Sequence, residues 1–520
     1  MNYRLLLDTV VHLKPRQVVY QVVNKVSHPA LKQVASPVNV QPLRIVPPIP
    51  KYKCWENQKM TFLNISDKFS SWNQTHHGML WAYNLNYMDW LQQEGITEAE
   101  CEQWIDKFIK ELPQNYVGQD PYPIALRAIN WIKVFTLKPG LRRADRDDSL
   151  YSQIRLLEKK LEYRLLGNHL LEDAYALFIS SIYFCDNRLY KKASKLLKDQ
   201  LKEQVLPDGM HYEQSPMYHC ILLDRLLDCI NFAMNTNDAN FTNELKQYAE
   251  RMLGHLESIV WKDKTIPLLN DSAFGIAPTP AQLYDYACRL GLQWNAILMK
   301  ECGYRKMTGR RFEAIVDVGN ITASYQPGHT HADTFNYELR IDGEPVIVDT
   351  GISTYDKTPR RQYERSTAAH NTVVVDGKDS SRVWGGFRVG KRCYTDITED
   401  TENIVEAVHD GFGKGCLHHR KFSMDEMGLH IEDSIGSGKE GVNYIHVAPG
   451  WEASIEEGHP NHIFLTQDYG KKMHMIEVQN CSKIEILKEK ISTEYNRFND
   501  IDVLALHFTG SMKYSILDEN

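Results

Sequence analysis

The period of the hydrophobic pattern changes once along this chain, near residue 305, and that change limits the fold more than any other feature. From about 78 to 305, apolar residues recur at i, i+3, i+4 and i+7 in segments such as ITEAECEQWIDKFIKEL, PIALRAINWIKVF, LLEDAYALFISSIYF and CILLDRLLDCINFAM. About nine such segments are separated by short turns, which predicts antiparallel helical hairpins. From about 311 the texture alternates, in runs such as FEAIVDVGNITASY, FNYELRIDG, EPVIVDTG, NTVVVDG and GLHIEDSIG, several with Asp-Gly turns. Helices first and strands afterwards predict an α+β chain in separate domains, not a doubly wound sheet. The expected divisions are 1–75, 76–308 and 309–520. The first is helical at its start and then a Pro-rich strap (Pro37, Pro42, Pro47, Pro48, Pro50).

Composition narrows the function. At about 100–200 residues per domain, the chain is expected to hold two or three domains. A hydrophobic fraction of 42% and a charged fraction of 24% exclude disorder, collagen-like repeats and low-complexity tails. The net charge of −7 and the lack of a basic domain argue against nucleic acid, so any anionic ligand must be held by a local cluster. The 27 Tyr and 10 Trp suit a carbohydrate-facing surface and, equally, a large core. The ten cysteines are scattered without a CxxC pair, which reads as buried, reduced thiols. In MNYRLLLDTVVHLKPRQVVYQVV, Asp8 interrupts the apolar run and no small-residue cleavage site follows. No stretch reaches the roughly 18 apolar residues of a membrane span. The expected place is the cytoplasm, or the periplasm if a leader has been removed. GFGKG at 411–415 lacks the context of a phosphate loop, and there is no GxSxG or HExxH.

Four clusters stand above background. In GNHLLED (167–173), Asn168 fits an N-cap, with His169, Glu172 and Asp173 on one helix face. In DGMHYEQSPMYH (208–219), a turn leads into a helix through two Tyr, two His and Glu213. His329-Thr330-His331-Ala332-Asp333 reads as a strand with both His on one side. It is followed by the Asp342-Gly343 turn, which folds Asp349 back toward the pair. Arg365 to Thr372, containing His370, leads into another strand. His331, Asp349 and His370 are a plausible zinc set, and a hydrogen-bonded histidine network is the competing reading.

These clusters, in this order, resemble the heparinase II/III-like polysaccharide lyases, which include heparinase II, heparinase III and oligoalginate lyases. The matching pieces are GNHLLED, DGMHYEQSPMYH, GHTHAD (328–333), VDTG (348–351) and STAAHNTVVVDG (366–377), spanning roughly 80 to 440. The resemblance implies an incomplete (α/α) toroid followed by an antiparallel β-sandwich. It implies that Asn168 and His169 neutralise a uronate carboxylate, with Glu172 nearby. It further implies that Tyr218 and His329 are catalytic, that Tyr355 is a second tyrosine at the site, and that His331, Asp349 and His370 hold a structural Zn2+.

The chemistry explains the grouping. A lyase removes the C5 proton of a uronate and expels the 4-linked oxygen, so donors must stabilise an enediolate while a base and an acid act on either side. The expected partner is a uronate-containing acidic polysaccharide. A rim of Arg127, Arg360, Arg361, Arg365 and Arg388 is expected around the cleft, because arginine pairs with carboxylates in bidentate fashion. Two rivals remain. One is a glycoside hydrolase using Glu172, Asp173 and Glu213 as its carboxylates. The other is a non-catalytic glycan-binding protein on the same scaffold.

Overall fold

The structure, a computed structural model, describes residues 3–37, 42–413, 415–467 and 472–518. Among the described residues, nine α-helices lie between Met79 and Arg289. Their starts are locally encoded. Asp186, Ser215 and Asp238 each accept a backbone N–H at an N-cap, and Thr97 and Thr279 form capping boxes with Glu100 and Gln282. Helices Pro121–Leu137 and Gly167–Tyr183 are buried on nearly every side, whereas Asn187–Gln204 buries only a stripe containing Leu189, Ala193, Leu197 and Leu201. An all-round buried helix belongs to an inner layer and a striped one to an outer layer. Gly167–Tyr183 accordingly packs against Pro121–Leu137, Asn187–Gln204 and Pro216–Ala233. This is an incomplete (α/α) toroid.

The entry segment holds more structure than its sequence suggests. Helices Tyr3–Val10 and Pro15–Val26 precede the strap, whose backbone is held by helix side chains: Ser36 N on Asp148 Oδ1 (2.7 Å) and Val46 N on Asn231 Oδ1 (2.9 Å). A three-stranded hairpin then runs through Trp55–Glu56, Lys59–Phe62 and Ile65–Lys68. Strands of two to four residues are too short to show a period. Edge-to-face pairs, Phe62 with Trp81 and Trp55 with Trp104 (both 5.3 Å), fix this hairpin on the toroid.

From Tyr304 onward the described strands pair antiparallel, with one short α-helix, Pro359–Glu364, among them. An eight-stranded sheet runs in the order Thr395–Asp400, Ile404–His409, His418–Met424, Gly428–Ser434, Ser511–Asp518, Lys472–Gln479, His459–Gln467 and Glu452–Glu456. One four-stranded sheet orders Lys483–Glu494, Arg497–Thr509, Glu440–His446 and Val373–Val375; another orders Tyr304–Thr308, Phe312–Asp317, Tyr337–Ile341 and Glu344–Ile347. Burial alternates along Ile404–His409 and His418–Met424, as expected where one face packs on a partner layer. Asp342 (φ 52°) and Gly343 (φ 83°) close the last hairpin as a two-residue turn, with Ile341 opposite Glu344.

Three expectations need correction. Strand Tyr304–Thr308 pairs with Phe312–Asp317, so a division at 308–309 cuts between partners; short strands at a junction carry too few residues to read. His329–Asp333 is an irregular loop, because its backbone and side chains bond to toroid residues instead of a neighbouring strand. Seven cysteines are buried, but Cys185 and Cys288 are exposed and Cys481 is half-buried. Gly411 and Phe412 lie in a turn after strand Ile404–His409, and Lys414 lies outside the described residues.

Candidate active site

The site forms where the toroid meets the sandwich. Leu166 (φ 62°) and Gly167 (φ 58°) turn the chain sharply before helix Gly167–Tyr183. A Cβ at Gly167 would stand 2.4 Å from Glu213 Oε1, so this close approach requires glycine. The turn delivers Asn168 onto Glu213: Asn168 N donates to Oε1 (2.9 Å) and Nδ2 to Oε2 (2.8 Å). Asn168 is therefore not a helix cap. Its amide Nδ2 also lies 3.3 Å from His329 Nε2, bringing the first and third sequence clusters into contact.

His329 is oriented from behind by Asp271, whose Oδ2 lies 2.8 Å from Nδ1. The other oxygen, Oδ1, meets His331 Nε2 at 2.8 Å, and Arg361 donates to both oxygens. Burial alone would raise the Asp271 carboxyl; Arg361 and the hydrogen bonds from His329 and His331 outweigh it and hold the group well below the usual carboxylate range. Asp271 carries no periodicity signal, since it sits in a loop after a left-handed Asn270 (φ 54°). Reading the sequence missed it.

Tyr218 enters from helix Pro216–Ala233, whose N-cap Ser215 accepts from Tyr218 N at 3.2 Å. Its ring stacks on His329 at 3.9 Å, and Tyr355 donates to its hydroxyl at 3.2 Å. Tyr355 also lies 3.5 Å from His329 Nδ1 and packs edge-on against Tyr495. Burial pushes the Tyr218 hydroxyl well above the ordinary tyrosine range, so it keeps its proton at neutral pH.

These groups line a cavity of about 490 Å³ shared by toroid, hairpin and sandwich. Asn168, His169, Tyr218, His329 and Tyr355 all face it. His169 Nδ1 lies 2.9 Å from Glu162 Oε2; burial opposes its charge, but Glu162 raises its pKa on balance. His169 thus pairs with Glu162, not with Glu172 or Asp173 as the helix spacing suggested. Glu172 lies behind the wall, fully buried, with neither oxygen hydrogen-bonded and Arg225 Nε 3.9 Å away as a loose ion pair. Burial pushes its carboxyl up to about 7.

The expected arginine rim is not there. Arg127 is buried against Gln153 and the carbonyls of Asn86 and Gly118, Arg361 is committed to Asp271, and Arg365 donates to Thr330 O. Arg360 pairs with Glu364, and exposed Arg388 lies over Trp384. Arginine's five donors make it as useful for stitching buried loops as for binding carboxylates, and sequence cannot tell the two uses apart. The cavity is lined instead by Lys51, paired with Asp89 at 2.7 Å, and by Arg225.

Asp349 does fold back on the histidines: its Oδ2 lies 2.9 Å from His370 Nδ1, and the His331 and His370 rings are 5.2 Å apart. His331 Nδ1 and His370 Nε2 are buried without hydrogen-bond partners. Asp349, however, also accepts from Asn336 and Gly351 N, and the trio is not among the described groups whose ligand atoms lie within 4.8 Å of one another. Those groups are Asp67, His76 and His77; Asp208, His255 and Cys302; and Glu456, His459 and His462.

Two family models match in tandem: the heparinase II/III N-terminus over residues 148–285 and the heparinase II/III-like C-terminal domain over 292–516. The chain belongs to the heparinase II/III-like family. Within it, this member is 28% identical over 378 residues to a heparin-sulfate lyase of Pedobacter heparinus, an alignment covering 64% of this chain and 54% of the relative. The chain spans about half the length of the curated relatives it matches. Among solved structures it is similar to heparinase III (TM-score 0.63, 15% identity, covering 89% of this chain and 80% of the other). It is also similar to a heparan sulfate lyase from Pedobacter heparinus (TM-score 0.58, 17% identity, 96% and 88%). The family's toroid-plus-sandwich architecture is thus the architecture of this chain.

Proposed function

We propose that this heparinase II/III-like protein is a polysaccharide lyase that cleaves a uronate-containing glycan of the glycosaminoglycan type by β-elimination. The observation that carries this reading is the meeting of Asn168, His329 and Tyr218 in one cavity, with His329 3.3 Å from the Asn168 amide and stacked 3.9 Å from the Tyr218 ring. In this reading Asn168 and the cationic form of His169 bind the uronate carboxylate and stabilise the enediolate as it forms. His329 Nδ1 donates to Asp271, and Nε2, 3.3 Å from the Asn168 amide and 3.5 Å from Glu213 Oε2, is the nitrogen left to take the C5 proton of a substrate in this cavity. Tyr218 keeps its proton and donates it to O4 as the C4–O4 bond breaks and the C4–C5 double bond forms. Tyr355 steers the Tyr218 hydroxyl. Glu172, Asp173 and Glu213, the carboxylates considered for hydrolysis, are all buried and line no part of the cavity.

His331, Asp349 and His370 fit a structural zinc by donor type and by the two unpaired buried imidazole nitrogens. Bound there, the ion would tie the His329 loop to the strands beneath it, supplying stability and not substrate activation. The deciding assay follows ultraviolet absorbance while uronate polymers are digested. Chain shortening without an unsaturated chromophore would refute elimination.

A further inference from the structure

The two N-terminal helices are mounted with their apolar sides outward. Gln17 is buried, and its Nε2 donates to Leu165 O (3.2 Å) and Tyr325 O (3.3 Å). Tyr20 packs on Tyr163 with centroids 4.8 Å apart, and Arg16 lies over the same ring at 3.6 Å. In the first helix, Thr9 Oγ1 accepts from Trp384 Nε1 at 3.2 Å. Polar and aromatic groups therefore fasten both helices to the toroid and sandwich. The valine stripe at i, i+4 and i+8 faces solvent instead, with Val18 47%, Val22 61% and Val26 77% exposed. Leu7 (63%), on the first helix, and Val11 (73%), just after it, are exposed as well. A surface helix ordinarily does the reverse, and a contiguous exposed apolar face of this kind marks an interaction site.

Charge identifies the occupant. Residues 3–37 carry five basic side chains (Arg4, Lys14, Arg16, Lys25, Lys32) and one acid (Asp8), a net +4 in a chain of net −7, which leaves −11 elsewhere. Lys25 and Lys32 are exposed beside the stripe. We infer that this face docks on an anionic lipid surface, with the valines in the headgroup–acyl boundary and the lysines level with the lipid phosphates. Lys14 is paired with Glu203 and Arg16 is held over Tyr163, so the charges beside the face are Lys25 and Lys32; a second copy paired through the same face would add like charges and no acidic partner for them, which electrostatics opposes. No described helix is long and apolar enough to cross a membrane, so the attachment is peripheral.

Flotation of the intact chain with phosphatidylglycerol-containing and pure phosphatidylcholine vesicles tests this. Binding is expected to the anionic vesicles only and to fall in about 0.5 M salt, where charges are screened beyond a few ångströms. The triple substitution Val18→Ser, Val22→Ser, Val26→Ser should weaken it roughly tenfold or more, because the buried apolar area is lost. Thermal stability should not change, since these side chains contact solvent. No binding at low salt, or equal binding to neutral vesicles, overturns the inference. So does a concentration-dependent dimer in sedimentation that the same substitutions dissolve, because the face would then belong to a second copy.

Discussion

Asp271 and Arg361 form a buried bidentate pair, with both residues fully shielded from solvent, and the same carboxylate positions His329. The pair joins the loop before the sandwich to the helix Pro359–Glu364, so the His329 imidazole is held by a contact between two parts of the fold. Removing one partner of such a pair strands a buried charge, at a cost of about 3–5 kcal/mol. Asp271→Asn is expected to lose about that much in urea unfolding and most of its activity. Arg361→Met should cost a similar amount, and the two losses should be far from additive. Simple additivity would show that the pair is not the anchor.

Tyr218→Phe should lower turnover by about 10²–10⁴-fold, the usual cost of a missing general acid, with an unchanged melting curve. Tyr355→Phe should cost less, because it acts through the Tyr218 hydroxyl. Steady-state kinetics on the same substrate ranks the two, and a larger loss at Tyr355 would reverse their assigned roles.

Glu172 gives the fold a pH dependence of definite sign. The folded protein holds this proton up to about pH 7, whereas the ordinary carboxyl loses it near 4.5. Between those values the unfolded state binds fewer protons, so the Glu172 contribution to stability falls as pH rises. Glu172→Gln should match the parent protein in acid and exceed it above pH 7 by on the order of 3 kcal/mol. Parallel stability–pH curves for the two proteins would exclude burial of Glu172 as the cause.

Salt sensitivity of substrate binding should trace to Lys51. It lines the cavity, whereas Arg127, Arg361 and Arg365 are buried in hydrogen bonds to the protein itself. A charged hydrogen bond contributes about 1.5–3 kcal/mol, so Lys51→Gln should raise KM roughly tenfold or more and flatten its rise with ionic strength. If the salt dependence survives in this variant, another cation carries it.

Zinc should be found at about one ion per chain by elemental analysis, in keeping with a single three-residue set. His370→Ala should release it and lower Tm, and a chelator should lower Tm of the parent protein alone. Metal retained by the variant would place it elsewhere, with the Asp208, His255 and Cys302 cluster the next place to look.

Sequence alone determined the order of the two halves, because a 3.6-residue and a 2-residue period are properties of neighbours along the chain. It also singled out Asn168, His169, Tyr218, His329 and Tyr355, which share one cavity. Their resemblance to a known family supplied roles that no spacing could. Only the tertiary structure decided which side chains stand behind them. Asp271 and Glu213 reach their partners from loops and turns 58 and 45 residues away, and Glu162 from the turn seven residues before His169, where no periodicity marks them. It also decided which arginines bind the protein and not a ligand. Arg361 and Arg365 look like surface charges in a loop sequence, yet each meets acceptors that the folded chain brings from 35 to 90 residues away. Long-range contact of that kind is set by packing, and a linear pattern does not contain it.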